Sequence, residues 1–167
     1  MRSKTATWFE TKVKYEKMGE DCNKNITVNE TYVVDALSFT EAENTITEEV
    51  AHLISGEFKI TGISKATYGE VFFSEKDTDD YWFKCKLQFI TFDEKTDKEK
   101  RSNVLYLVQA HSLAQAVSYV QEFMGNTMIT YDIVNVMKTK IADVYEHAAG
   151  SKKPEVNDVP EYQAAEA

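Results

Sequence analysis

Apolar and polar residues alternate over residues 8–15, with Phe9, Thr11, Val13 and Tyr15 on one side and Trp8, Glu10, Lys12 and Lys14 on the other. A period of two predicts a half-buried strand. Residues 16–26 are polar, with Gly19, Asp21, Asn23 and Asn25, and predict a hairpin connection. Residues 27–36, rich in Val, Thr and Tyr, predict a second strand. The period then changes. Phe39, Ala42, Ile46, Val50, Leu53 and Ile54 recur at helical spacing. Ser38 followed by Glu41 supplies a capping box at the start, and Gly56 marks a stop. Residues 57–65 predict a third strand, Tyr68 to Phe73 a short extended piece, and Glu75 to Asp80 a charged linker.

The pattern then begins again. Residues 81–92 alternate, with Phe83, Cys85, Leu87 and Phe89 opposite Trp82, Lys84, Lys86 and Gln88. A charged loop over 93–101 leads to a strand over 104–110. Ser112 and Gln115 form a second capping box, and Leu113, Ala116, Val117, Val120, Phe123 and Met124 form a second helical stripe, closed by Gly125 and Asn126. A strand over 128–138 and a short element over 141–145 complete the series. The halves align at an offset of 74 up to the helix and 73 after it, as in Trp8/Trp82, Ser38/Ser112 and Lys65/Lys138. Three aligned segments share eleven identities in 36 positions, where ordinary residue usage gives roughly two. The excess points to an internal duplication. The expected fold class is α+β: two tandem ββαβ repeats, about 6–73 and 80–146, forming a largely antiparallel sheet assembly with two helices packed on it about a pseudo-twofold. One such unit is too small to be stable alone, so residues 1–147 are expected to form a single globular domain. Residues 148–167 hold both prolines and show no periodicity, and are expected to be a disordered acidic tail.

Composition narrows the function classes. The net charge of −9 opposes duplex DNA binding, which needs a basic footprint. No apolar run approaches the length that crosses a membrane, and the N-terminus lacks a signal-peptide core, so a cytoplasmic location is expected. Cys22 and Cys85 have no metal spacing and read as reduced thiols.

Candidate chemistry is sparse. His52, His111 and His147 have no partner at a readable spacing, and no hydrolase, zinc or phosphate-loop motif is present. Asp77, Asp79 and Asp80 do not open a calcium loop, because Trp82 and Gln88 stand where its Gly and Glu belong; they read as a solvated linker. Glu70 and Asp143 are repeat-equivalent carboxylates, read as ordinary contacts near strand ends. No catalytic residue, cofactor or metal site is identified. The sharper pattern lies on the first strand of each repeat. Trp8 with Lys12 and Lys14, and Trp82 with Lys84 and Lys86, form two aromatic–lysine stripes on the face turned away from the apolar one. Such a stripe suits a protein partner or a second copy of the chain, with tryptophan as anchor. It also suits a nucleotide or short single-stranded nucleic acid, stacked on the ring and neutralised by lysine. The competing reading is that the tryptophans pack within their own domain.

With those residues in view, the chain resembles a domain family of unknown function found in Bacteroidetes bacteria and their phages. The resemblance is carried by Trp8 to Val13, Val34 to Ala42, Ile54 to Phe58 and Trp82 to Lys86, and spans about residues 6–146. It implies a bacterial or phage cytosolic protein and supplies no activity or catalytic residue. The expected function is therefore a non-catalytic binding or interaction module rather than an enzyme, the alternative being a nucleotide or single-strand binder that acts as a sensor or sponge.

Overall fold

A computed structural model describes residues 1–21 and 23–147. Cys22 and the expected tail over 148–167 lie outside the described residues. The elements run β1 (Arg2–Lys4), β2 (Trp8–Met18), β3 (Asn25–Asp35), α1 (Phe39–Leu53), β4 (Phe58–Lys65), β5 (Tyr68–Phe73), β6 (Tyr81–Asp93), β7 (Lys98–Ala110), α2 (Leu113–Gly125), β8 (Thr130–Lys138) and β9 (Ile141–Tyr145).

Both helices begin where the sequence places them. Ser38 Oγ accepts from the Glu41 N–H at 3.1 Å, and Ser112 Oγ accepts from the Gln115 N–H at 3.2 Å. The return bonds reach one residue further back than a standard capping box. Glu41 accepts from the Leu37 N–H, and Gln115 from the His111 N–H. α1 stops at Leu53, before Gly56, because the Ile54 N–H still bonds Val50 while its own backbone has turned extended.

The nine strands of the described residues form two largely antiparallel sheets, ordered β1-β5-β7-β6-β8 and β4-β2-β3-β9. The halves share one pairing scheme. In each, a long hairpin (β2–β3 or β6–β7) takes the strand after the helix, β4 or β8, on its open side. The next strand then leaves for the other sheet. β5 pairs parallel with β7, and β9 pairs parallel with β3. Each half therefore donates one strand to its neighbour's sheet.

This exchange sets three layers of core. α1 covers Phe9, Val13, Val34 and Ala36 on one sheet. α2 covers Phe83, Cys85, Leu87 and Val108 on the other. Between the sheets lies a third cluster of Trp8, Val33, Tyr68, Val71, Trp82, Leu107, Ile141 and Val144. Its eight members are four pairs at the sequence offsets of 74 and 73: Trp8/Trp82, Val33/Leu107, Tyr68/Ile141 and Val71/Val144. The order is helix, sheet, sheet, helix, and the faces turned from the helices meet in the middle.

Two boundaries differ from expectation for one reason. The hairpin strands run further than the loops expected over 16–26 and 93–101 allow, to Met18 and Asn25 and to Asp93 and Lys98, because cross-strand pairing continues through residues that are exposed on both faces. Asp97, at φ 57°, closes the second turn with its N–H on the Asp93 carbonyl at 2.9 Å. β1 carries no periodic signal in its three residues. It is a strand because β5 offers it an unpaired edge.

The expected open stripe is corrected here. Trp8 and Trp82 are 1% and 2% exposed. The side that looked outward on a single sheet is covered by the other sheet. Removing a ring from this cluster opens a cavity that its neighbours cannot close. Trp82→Ala is expected to cost about 3–5 kcal/mol in urea unfolding. Lys86→Ala, on the exposed end of the same face, is expected to change stability by less than about 0.5 kcal/mol. Equal costs for the two would show that Trp82 is not core.

Candidate functional site

The structure does not bring the six residues of the stripe together on one open face. Trp8 and Trp82 are inside the fold. Lys84 is half-buried, with Nζ 3.2 Å from Glu10 Oε1 across the two sheets. Glu10 and Lys84 are themselves repeat-equivalent, so one position supplies both charges of the pair. Tyr68 donates its hydroxyl to the same Glu10 oxygen. Burial alone would push the Glu10 carboxyl up, but Tyr68 and Lys84 outweigh it and hold the group below its ordinary value. Lys12, Lys14 and Lys86 remain exposed, beyond the tryptophan cluster.

A different site stands out at the linker. Asp79, expected to be solvated with Asp77 and Asp80, is 2% exposed. The linker folds back on itself, with the Asp79 N–H donating to the Lys76 carbonyl at 3.1 Å. That turn carries the Asp79 carboxylate beneath the chain. Oδ2 accepts from the Ser74 hydroxyl and, at 2.7 Å, from the Tyr119 hydroxyl of α2. Gln115 donates to the Tyr119 oxygen at 2.8 Å, and the Ser74 N–H donates to Gln109 Oε1 at 3.0 Å. His111 Nδ1 lies 3.0 Å from the Thr78 carbonyl, which fastens the turn to the start of α2. Burial pushes the Asp79 carboxyl up. The Ser74 and Tyr119 hydroxyls, with the charges of Lys76 and His111 behind them, more than reverse this and hold it below its ordinary value.

Asp79 Oδ1 is buried and has no hydrogen-bond partner among the described residues. An unmatched carboxylate oxygen inside a protein is costly, and each such case calls for a physical reason. Here Asp79 lines a cavity of about 330 Å³ between the linker and β9. Its walls are Ser74 to Asp77, Asp79, Asp80, Trp82, Gln109, Ala142 and Asp143. Five carboxylates, Glu75, Asp77, Asp79, Asp80 and Asp143, face one cation, Lys76. A second cavity, of about 360 Å³, lies on the other side of Ser74 to Lys76, against Tyr119 and Phe123. Trp8 Nε1 and Glu70 Oε2 are also buried without partners, but neither residue lines these two cavities. Glu70 and Asp143 are not bonded to each other. Glu70 accepts from Thr5, and Asp143 accepts from the Val144 N–H.

The donor set does not suit a metal. Among the described residues no group of three or more His, Cys, Asp or Glu side chains is arranged to hold one. Among the described residues no cysteine or serine is bonded to a histidine as a nucleophile to its base. The Cys85 thiol is pushed up to about 12 by burial under α2, and His52 stands exposed on α1. No helix among the described residues is long and apolar enough to cross a membrane.

Fold and site together define an α+β protein of two helix-covered sheets, with a closed aromatic interior and an acidic cavity at its linker. The chain belongs to the family described as Domain of unknown function (DUF4494), whose model matches residues 7–147. No curated protein and no solved structure matches it.

The lowered Asp79 carboxyl makes stability depend on pH in one direction. A group whose folded value is depressed stabilises the fold above its unfolded value, here 3.8, and loses that contribution as pH falls through the folded one. In urea unfolding across acid pH, the wild-type advantage over Asp79→Asn is therefore expected at neutral pH and should shrink below 3.8. A difference that stays constant with pH would show that the carboxylate is not selectively stabilised.

Proposed function

We propose that this protein is a non-catalytic interaction module of a bacterium or phage that binds a positively charged group in the acidic cavity between its linker and β9. The observation that carries this reading is Asp79, which lines the cavity and whose Oδ1 is buried with no partner among the described residues. Ser74 and Tyr119 fix the other oxygen, so the carboxylate is held ionised and in place before any ligand arrives. A volume of about 330 Å³ is of the size that holds a lysine or arginine side chain or a small diamine.

The nucleotide alternative loses its stacking rings, since Trp8 and Trp82 are buried, and one of its lysines, since Lys84 is paired with Glu10. It keeps Lys12, Lys14 and Lys86. The acidic cavity is the better-supported site.

Titrating the labelled protein with N-acetyl-lysine methylamide and following backbone amides by NMR distinguishes the two. Shifts are expected to concentrate on 74–80, 109, 119 and 142–143, with affinity in the millimolar range, about −4 kcal/mol, as befits a single ammonium. Asp79→Asn should abolish them, and Lys12→Ala/Lys86→Ala should leave them unchanged. Shifts spread evenly over the acidic surface, or shifts that survive Asp79→Asn, would contradict the proposal.

A further inference from the structure

We infer that the natural occupant of the Asp79 cavity is the side chain of a Lys or Arg carried by an extended basic segment of a partner protein, which adds as a strand to the outer edge of β9. This rests on the cationic reading of the cavity and goes further by naming the backbone that brings the cation.

The first support is topological. β9 is the terminal strand of its sheet, and among the described residues no strand pairs with its outer side. An unpaired edge is a template for an added strand, and partner recognition often uses it.

The second is that the fold already contains such an addition. β5 and β9 hold the same place in the two halves, 73 residues apart. The outer edge of β5 is occupied by β1, antiparallel, with Arg2, Ser3 and Lys4 opposite Phe73, Phe72 and Val71. That strand is basic at both ends. Lys4 Nζ lies 2.6 Å from Asp35 Oδ2, and Arg2 Nη1 lies 2.6 Å from Glu146 Oε1. Asp35 is the repeat equivalent of Gln109, which lines the Asp79 cavity. Where the first half has a lysine on a carboxylate, the second half has a cavity lined by Asp79, one of whose oxygens is unmet among the described residues.

The third is what replaced the strand. The positions 74 residues on from Arg2–Lys4 are Lys76, Asp77 and Thr78. They form the linker turn that buries Asp79 and do not pair with β9. The cavity opens between that turn and Ala142 and Asp143 of β9, both exposed. The second half thus lacks a basic edge strand and carries the acidic lining to receive one. The chain's own residues 148–167 are a poorer match in charge, with four carboxylates against Lys152 and Lys153.

The test is calorimetry and amide hydrogen exchange on the full chain with three probes. One is an acetylated, amidated peptide of alternating Thr, Lys and Val. The second has the same composition with N-methylated backbone amides, which cannot pair as a strand. The third is N-acetyl-lysine methylamide. The first peptide is expected to bind at least about tenfold more tightly than the other two, to slow exchange at β9 amides, and to lose binding in Asp79→Asn. If it binds no better than the lysine amide or the N-methylated peptide, strand addition is overturned and the cation site stands. If no probe binds, both readings fail. If binding survives Asp79→Asn, the cavity is not the docking point and the inference falls. If deleting residues 148–167 raises peptide affinity by about tenfold or more, the occupant is this chain's own tail, and the partner assignment is overturned.

Discussion

The burial of Trp8 and Trp82, each against Phe73, between two sheets that exchange a strand is the constraint on which the rest of this molecule depends. Each half contains a hairpin, a helix and an edge strand, and its helix covers one face of its own sheet. The other face has no cover of its own. It is closed only when β5 crosses to β7 and β9 crosses to β3, bringing Tyr68, Val71, Ile141 and Val144 around the two tryptophans. A buried tryptophan removes roughly 150–250 Å² from water, so two at one interface contribute several kcal/mol, a large share of an ordinary domain's net stability. Glu10 and Lys84 continue the contact as a charge pair where the apolar cluster ends.

The two halves agree inside and differ at their rim. In the interior they correspond residue for residue, as Phe9/Phe83, Val13/Leu87, Ala42/Ala116 and Ile46/Val120 do. At the ends of the crossing strands they part. The first half fills the outer edge of its crossing strand with β1 and satisfies Asp35 with Lys4. The second half folds its linker into a turn, buries Asp79 and leaves one oxygen unpaired beside a cavity. A stable interior built on one scheme tolerates such divergence at its rim, because the rim carries little of the burial energy.

Much of the frame is legible in the sequence. The capping serines Ser38 and Ser112, the apolar stripes of both helices and the paired hairpins are local patterns, and local patterns survive folding. Alternation along 8–15 and 81–92 also separated two faces correctly. It carried no information on what lies opposite, so a covered face passed for an open one. The hint was there in Trp8 and Trp82 themselves, large apolar rings on the supposedly polar side. Asp79 was less legible. Its neighbours Asp77 and Asp80 are exposed, and its own burial depends on Tyr119, forty residues away on α2. Charge clustering near 77–80 spoke for solvation, and only tertiary hydrogen bonding overrides it. β1 offered three residues and no period, and it is held by the edge of β5 and by the ion pairs of Arg2 and Lys4.

Mutual dependence of the two halves is the central claim, and residues 1–73 expressed alone test it most directly by NMR and thermal melting. In this fragment β5 has lost β7, β3 has lost β9, and Trp8 has lost its cover. The account predicts a collapsed amide spectrum and no cooperative melt, with dispersion restored on adding residues 74–147. A fragment with a dispersed spectrum and a cooperative transition of its own would show that each half is a complete fold, and would contradict the account.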